Sequence, residues 1–197
     1  MDPDSGAAPR RSPLATVALA LLAEEPMHVY RMQALIRERA QDDVVNVGSR
    51  NSLHQVVTRL ERDGLISAQT SSAASRRTTY ALTPRGADAL GSWLDDMLAR
   101  PRNEFPEFPA GLALAVFRSS GALADHLDAR AAALRETLAS PTPDETAAAL
   151  GIDPVFLLED DYKRAMVTAE LAWVEALVRR LRSGALSWEA VPMRADG

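Results

Sequence analysis

The sequence predicts a mainly α-helical protein that also carries one small two-stranded β-hairpin. Two observations favour this class: apolar residues recur every three or four positions over most of the chain, and alanine is abundant. A third is a short segment before residue 83 that is rich in threonine and tyrosine, which are typical of strands. At 197 residues, the chain can bury one sizeable core, or form a small domain with an appendage.

Three helices are predicted at the start of the chain. Ser12 as the N-cap and Pro13 at the first helical position begin the first helix, and the Glu-Glu-Pro sequence at 24–26 ends it. The second helix is predicted over residues 30–40 and the third over residues 49–63. Apolar residues of the third helix fall at i, i+3, i+4 and i+7, which predicts one buried face made of Leu53, Val56, Val57 and Leu60.

A hairpin and a fourth helix follow. Gly64 is predicted to end the third helix, because glycine readily adopts the left-handed turn. We predict strands over residues 65–69 and 76–82, joined by a polar loop, and then a helix that Thr83 and Pro84 begin and that ends near residue 99. Three helices followed by a two-stranded hairpin and a further helix form a winged helix-turn-helix domain, in which the hairpin is the wing.

A second, helical unit is predicted after a proline-rich linker over residues 101–109. The winged helix-turn-helix domain would then cover residues 13–100, and the helical domain would cover residues 110–186. We predict a short helix over 112–117, a longer one that includes 123–138, and a last long helix from Asp153 to about Ser183. Residues 1–12 and 187–197 are predicted to be tails, the first of them disordered and with Arg10 and Arg11 solvated.

The last helix predicts self-association. Five of its apolar residues repeat at the 4-3-4-3 spacing of coiled coils and are predicted to form a dimer contact: Val167, Leu171, Val174, Val178 and Leu181. A second apolar stripe lies beside them, made of Tyr162, Met166, Ala169, Trp173 and Leu177. So wide an apolar arc needs more than one neighbour, and a second copy of the chain is the simplest one. The helical domain is therefore predicted to be a dimerisation domain.

The polar face of the third helix is the candidate binding surface. An Arg/Gln/Asn/Thr face on an aliphatic back suits the major groove of duplex DNA, where such side chains reach base edges and phosphates. The candidate DNA-binding residues are Arg50, Asn51, Ser52, His54, Gln55, Thr58, Arg59 and Arg62, with Arg76 and Arg77 near the tip of the wing. The net charge of −5 would oppose DNA binding, but residues 44–87 carry +4 and residues 101–197 carry −5.

The sequence lacks the residues and motifs that several classes of function require. The chain has no cysteine, and we find no Walker loop, GxGxxG or GxSxG motif, so we predict no enzyme and no cofactor. His28, His54 and His126 are far apart and have no acidic partner at ligand spacing, which argues against a metal site. No apolar run approaches the ~18 residues of a membrane span, and no signal peptide is evident. We therefore expect a cytoplasmic protein.

Three segments carry a resemblance to a known family. Residues 19–30, which end in PMHVY, resemble the opening helix and "HGY" turn of PadR-type transcriptional regulators. NSLHQ at 51–55 and RLERDGLI at 59–66 resemble their "GSLYPAL…RLEEEGLI" segment, and RTTYALTPRG at 77–86 resembles their "RKYYRLTPEG". The chain differs at the reading surface, where Asn51, His54 and Gln55 stand for Gly, Tyr and Pro.

The resemblance implies a homodimeric repressor that binds double-stranded DNA, and in some members a small aromatic or hydrophobic compound releases the DNA. Trp93 and Trp173 are the candidate effector-binding residues, since aromatic side chains near a dimer interface can stack flat ligands; core packing is the commoner role. Our hypothesis is a dimer that reads an inverted-repeat operator. Two alternatives are a MarR-type winged-helix regulator and a helical protein–protein adaptor that does not bind DNA.

Overall fold

A computed structural model describes residues 9–39, 41, 50–69 and 78–193 of the chain. Within it the chain divides into two compact units between Asn103 and Glu104, a point that lies in the proline-rich segment. The first unit carries four helices and a hairpin, and the second unit is helical. The prediction of a mainly helical chain with a winged helix-turn-helix domain and a helical C-terminal region is confirmed.

The first unit follows the predicted order of elements. The bounds are α1 Pro13–Glu24, α2 Val29–Glu38, α3 Arg50–Arg62, β1 Ile66–Gln69, β2 Thr79–Leu82 and α4 Pro84–Ala99. Both predicted cap-and-proline starts are present: Ser12 Oγ accepts the amide of Ala15 at 3.2 Å, and Thr83 Oγ1 accepts that of Gly86 at 3.0 Å. Gly64 has a φ of +70°, so α3 ends in the left-handed turn that glycine favours.

Aliphatic side chains from α1, α2, α3 and the hairpin form the core of this unit. The largest fully buried side chains there are Leu19, Leu21, Met32, Ile36, Leu53, Val57, Leu60, Leu65 and Ile66. The four apolar residues predicted to back the third helix are all in this core. The core therefore fixes which face of α3 is left for solvent.

Main-chain hydrogen bonds hold the hairpin against the start of α2. The strands are antiparallel, with Ile66 opposite Leu82 and Gln69 opposite Thr79. Beyond the hairpin, Met27 and Tyr80 exchange two hydrogen bonds, from Met27 N to Tyr80 O at 3.0 Å and from Tyr80 N to Met27 O at 2.9 Å. Because this bridge lies just before α2, it places the first turn of α2 beside the return strand of the wing.

The second unit is built around two long helices. Its elements are α5 Glu107–Ala113, a 3₁₀ turn Ala115–Phe117, α6 Ser120–Leu138, α7 Pro143–Leu150, a 3₁₀ turn Pro154–Leu157 and α8 Leu158–Arg182. Helices α6 and α8 bury one core between them, made of Ala124, Leu127, Ala131, Val174 and Leu181. Ion pairs flank this core, from Arg182 to Asp125 at 2.6 Å and to Asp128 at 2.7 Å.

Two helical segments differ from the prediction. Residues 107–109, predicted to be linker, form the first turn of α5, where Pro109 is tolerated because the first turn needs no amide donor. The segment before the last helix contains α7, which the sequence analysis did not predict. Thr142 and Glu145 form a capping box at its start, and Gly151 ends it with a φ of +65°. That Thr-Pro-x-Glu signal was present in the sequence.

Neither predicted tail is wholly free. Residues 1–8 and 194–197 lie outside the described residues, but Arg11 forms an ion pair with Asp96 and its side chain is only 11% exposed. The prediction that Arg11 is solvated is therefore wrong. At the other end, Trp188 Nε1 donates to the carbonyl of Arg118 at 2.7 Å, and Val191 N donates to Val116 O at 2.9 Å. Hydrogen bonds of Trp188 and Val191 thus hold this segment against residues 116–118 of the second unit.

The described helices give no sign of a membrane span, since none combines enough length with enough apolar character to cross a bilayer. Over the same described ranges, no three histidine or acidic side chains are grouped closely enough to hold a metal ion.

Candidate nucleic-acid interface

The solvent face of α3 presents polar side chains in one row. His54, Gln55, Thr58 and Arg62 are exposed, while the aliphatic residues between them are buried in the core. These four side chains were predicted to be at the binding surface, and the helix period brings them together on one face. The face offers imidazole, amide, hydroxyl and guanidinium groups, which can donate to guanine, adenine or phosphate acceptors.

Arg62 is the most accessible cation of this row. Its side chain is 73% exposed, and its only described partner is the adjacent Asp63 at 3.0 Å. An ion pair at the surface contributes little to the stability of a protein. The guanidinium can therefore leave Asp63 and contact a phosphate or a base at a small cost in free energy. Arg62 is therefore accessible, as the prediction of a DNA contact requires.

Arg59 differs from the expectation that it projects from the polar face. The residue is half-buried, and its Nε and Nη2 atoms are buried without a hydrogen-bond partner among the described residues. The difference has a geometric reason, because position 59 lies at the edge of the apolar face that Val56 and Leu60 form. A guanidinium there is held partly inside the protein and offers only part of its donor edge to solvent.

Five other predicted DNA-binding residues are either half-buried or lie outside the described side chains. The side chains of Arg50 and Asn51 lie outside the described part of α3, although both residues are in the helix. Ser52 is half-buried and engaged in an interaction within the protein. Arg76 and Arg77, predicted at the wing tip, fall outside the described residues.

A groove beside α3 contains residues that the sequence analysis did not assign. It has a volume of about 500 Å³ and is lined by His28, Val29, Tyr30, Gln33, Arg37, His54, Thr78 and Tyr80. The first turn of α2 and the return strand form its walls, held together by the Met27–Tyr80 bridge, and α3 contributes His54. The PMHVY segment was noted only as a family resemblance, and no periodicity indicated that it would lie beside the reading helix.

Three aromatic residues of this groove have defined surroundings. His28 and Tyr30 meet edge to face, with ring centroids 6.3 Å apart. Burial raises the pKa of Tyr80, and the negative charge of Glu61 raises it further. The raised pKa keeps the Tyr80 hydroxyl protonated to a higher pH than that of an ordinary tyrosine.

The two tryptophans proposed to bind an effector lie in different places. Trp93 packs against the core of the first unit and lines a shallow recess with Asp95, Asp96 and Arg100. Trp173 lines a larger cavity of about 870 Å³ in the second unit. Trp93 and Trp173 therefore line separate cavities, one in each unit.

The cavity at Trp173 is mostly apolar and has one charged corner. Phe108 meets Trp173 edge to face at 6.1 Å, and the guanidinium of Arg130 lies 3.6 Å from the centre of the Phe108 ring. Arg130 also forms an ion pair with Glu170. Flat apolar surface beside a fixed charge is the composition of many small-molecule sites.

Most of the stripe that was predicted to form the dimer contact packs against α6 of the same chain. Val174 and Leu181 are 0% and 6% exposed, and Leu171 and Val178 pack against the same core. Side chains buried against α6 cannot supply contact area to a second copy. Val174 and Leu181 of the predicted dimer contact are therefore used inside the chain, whereas Val167, Leu171 and Val178 stay partly exposed.

The second stripe of α8 is exposed except at Leu177, which packs against the core between α6 and α8. Leu158, Tyr162, Met166 and Trp173 are 62%, 65%, 51% and 48% exposed, and Ala169 is exposed between them. Large apolar side chains also project from the segment just before α8, where Val155 and Phe156 are 55% and 69% exposed. A contiguous apolar face of this kind is uncommon on monomeric proteins and marks an interaction surface.

The model of the transcriptional regulator PadR-like family matches residues 18–92. Among solved structures, Bacillus subtilis PadR in complex with operator DNA has a TM-score of 0.63 and 16% identity, covering 86% of this chain and 99% of that one. The same protein with p-coumaric acid gives 0.65 and 17%, with coverages of 86% and 98%. The Vibrio cholerae virulence activator AphA gives 0.60 and 19%, with coverages of 87% and 99%.

At these identities, the likeness to solved structures shows the fold, and it includes the helical unit as well as the winged domain. No protein of curated function matches the sequence significantly. The family match covers α2, α3 and the hairpin, the elements that build the polar face and the groove. Residues 18–92, which make up most of the first unit, are therefore similar to the PadR-like family of transcriptional regulators.

Proposed function

We propose that the protein is a homodimeric, sequence-specific DNA-binding repressor that places α3 in the major groove. The exposed polar row on α3, with its aliphatic back fixed in the core, carries this proposal. His54, Gln55 and Thr58 are the described candidates for base readout, and Arg62 for a guanine or phosphate contact. The operator complex of Bacillus subtilis PadR, which shares the fold, supports this use of the domain.

Arg62→Ala is expected to weaken operator binding by about 1–3 kcal/mol if the guanidinium contacts guanine, because a bidentate pair supplies that much discrimination. If it contacts a phosphate, the salt dependence of binding falls by about one unit instead. Fluorescence anisotropy on labelled DNA from upstream of the protein's own gene, at several salt concentrations, measures both quantities.

Arg100→Ala is the matched control, because Arg100 is also exposed, at 79%, and also paired with a carboxylate, at 2.6 Å. Its loss removes the same charge from the residue that follows α4 and should leave the affinity nearly unchanged. Equal effects of the two substitutions would mean that only net charge matters and that α3 has no special contact. Absence of any DNA binding by the unaltered protein would favour the adaptor alternative.

The homodimer is proposed from the exposed stripe of α8. Paired copies would cover Tyr162, Met166 and Trp173, which otherwise expose apolar surface to water. A twofold dimer presents two reading helices, and such dimers favour inverted-repeat operators with half-sites ~34 Å apart. The dimer contact thus moves from the predicted stripe to its neighbour on the same helix.

A small hydrophobic or aromatic effector is proposed for the cavity at Trp173, which would lie at the edge of the dimer contact because Met166 and Trp173 belong to both the cavity and the exposed stripe. The aromatic edge of Phe108, the exposed Trp173 ring and the charge of Arg130 could hold a flat compound with one polar end. The p-coumaric acid complex of Bacillus subtilis PadR supports the general idea of an aromatic ligand on this fold. A panel of hydroxycinnamic and benzoic acids should quench tryptophan fluorescence in the unaltered protein and not in Trp173→Leu; equal quenching in both would contradict this site.

A further inference from the structure

The exposed stripe of α8 is complementary to itself. Leu158, Tyr162 and Trp173 are large and exposed, whereas Ala169 is small and exposed. The pair Leu158 and Trp173 has the same midpoint in the helix as the pair Tyr162 and Ala169, between residues 165 and 166. If two copies of α8 pack antiparallel about that midpoint, Tyr162 of one copy meets Ala169 of the other, and Leu158 meets Trp173.

The charges of α8 favour antiparallel over parallel packing of two copies. The helix has three acidic residues in its first turn and three arginines in its last. These are Glu159, Asp160 and Asp161, and Arg179, Arg180 and Arg182. Antiparallel packing runs the acidic start of one helix towards the basic end of the other and opposes the two helix dipoles, whereas parallel packing would place like charges side by side. A second copy is therefore expected to lie antiparallel on the stripe.

The cavity at Trp173 borders the same face of α8. Met166, Ala169 and Trp173 line the cavity, and all three are also exposed members of the stripe. The other walls include Phe108 of α5 and Arg130 of α6. A second copy that covers the stripe would therefore also cover the side of the cavity that α8 forms.

We infer that the cavity at Trp173 is a ligand site shared by two copies, in which Tyr162 and Leu158 of the partner subunit form the closing wall. Within one chain, neither Tyr162 nor Leu158 lines the cavity. In the antiparallel arrangement, the Tyr162 ring of the partner subunit lies over Ala169, the smallest residue that α8 contributes to the cavity, and Leu158 of the partner subunit lies over Trp173. This inference rests on the proposed dimer and deepens the proposed effector site.

A site built from two copies couples the ligand to assembly of the protein. A flat compound is held between the Trp173 ring of one chain and the Tyr162 ring of the partner subunit, and both rings offer apolar faces for stacking. Such a ligand binds the dimer more tightly than the monomer. It therefore stabilises the dimer, and dimer formation raises the affinity for the ligand by the same factor.

Cysteine crosslinking tests the arrangement directly, because the chain has no cysteine of its own. Tyr162→Cys combined with Ala169→Cys should give a covalent dimer on mild oxidation, visible on a non-reducing gel. Facing Cα atoms of helices packed about 8–10 Å apart come within the ~7 Å that a disulfide spans. Within one helix the two positions are two turns, or ~10 Å, apart, so a disulfide inside one chain is not possible.

Tyr162→Cys alone and Ala169→Cys alone are the matched controls, because each position faces the other and not itself, so neither single variant should crosslink. Leu158→Cys combined with Trp173→Cys keeps Tyr162 in place and should crosslink like the first pair. Crosslinking of a single variant would indicate parallel helices or another register and overturn the inference. Double variants that are folded and dimeric but do not crosslink would also overturn it, whereas a monomeric unaltered protein would contradict the proposed dimer itself.

Ligand binding gives a second readout. Quenching of tryptophan fluorescence by the hydroxycinnamic and benzoic acids is measured on the unaltered protein over a range of protein concentrations that extends from dimer to monomer. The affinity should fall about tenfold on dissociation, because the monomer lacks one aromatic wall. An affinity that stays constant over this range would show that one chain completes the site and would overturn the inference. If no acid quenches at any concentration, the proposed effector fails, and the crosslinks alone decide whether the partner closes the cavity.

Discussion

Gly86→Ala is expected to destabilise the first unit by about 3 kcal/mol, since forced overpacking typically costs 1–3 kcal/mol and more where the neighbour cannot move. A Cβ at this position would lie 2.0 Å from the carbonyl oxygen of Leu65 and 2.8 Å from Leu82 Cδ1. The Leu65 carbonyl cannot retreat easily, because it accepts hydrogen bonds from Thr83 N at 3.1 Å and from Thr83 Oγ1 at 3.0 Å. Urea unfolding of the full chain, followed by circular dichroism, measures the loss.

Gly91→Ala, on the same helix, is the control. Nothing lies within 4 Å of a Cβ built there, so alanine should stabilise the helix by roughly 0.5–1 kcal/mol through its higher propensity. The two substitutions are chemically identical and should have opposite signs. Equal stability of the two variants would show that α4 does not approach the base of the hairpin as closely as described.

The second large effect concerns the exposed stripe of α8. Tyr162→Asp combined with Met166→Asp should convert the proposed dimer to monomers, because each carboxylate would have to be buried without a partner at the interface. Dimerisation should weaken at least ~100-fold, which corresponds to about 3 kcal/mol. Both side chains are more than half exposed in one chain, at 65% and 51%, so the fold itself should survive. Light scattering gives the mass, and circular dichroism verifies the fold.

Thr168→Asp combined with Ala172→Asp adds the same charge to exposed positions of α8 that lie outside the stripe. This control should remain dimeric. A dimeric Tyr162/Met166 variant would place the contact elsewhere, and two monomeric variants would mean that acidity of the second unit, not the stripe, governs association.

Local sequence signals predicted the first unit well. Ser12-Pro13 and Thr83-Pro84 define helix starts through hydrogen bonds within four residues, and Gly64 ends a helix through its own backbone. The period of Leu53, Val56, Val57 and Leu60 was sufficient to orient α3, because the core lies on one side only. Short segments of the sequence are therefore sufficient to predict the helices and strands of this unit.

Features that depend on which helices meet were less predictable. Both apolar stripes of α8 suit a buried face, and periodicity does not say which of them the chain's own α6 covers. Arg59 has the sequence signature of a polar-face residue, yet neighbouring core residues hold it half-buried. Helix α5 begins inside a run of prolines, since proline is unfavourable within a helix and acceptable in its first turn.

The groove illustrates the same point for the candidate site. Its residues come from the turn before α2, from α2 itself, from α3 and from the return strand, which are separated by up to 52 positions between His28 and Tyr80. The Met27–Tyr80 bridge that brings them together is a main-chain contact without a side-chain signature. Only the row on α3 could be assembled from helical spacing alone.

The most direct test of the central claim, that the exposed row of α3 lies in a major groove, is protection of guanine N7 from dimethyl sulfate. N7 is exposed in the major groove and serves as an acceptor for arginine. On DNA from upstream of its own gene, the protein is expected to protect two groups of guanines about one helical turn apart, and Arg62→Ala to lose protection in both. Binding that leaves every guanine N7 reactive, or protects only the adenine N3 atoms of the minor groove, would contradict the claim.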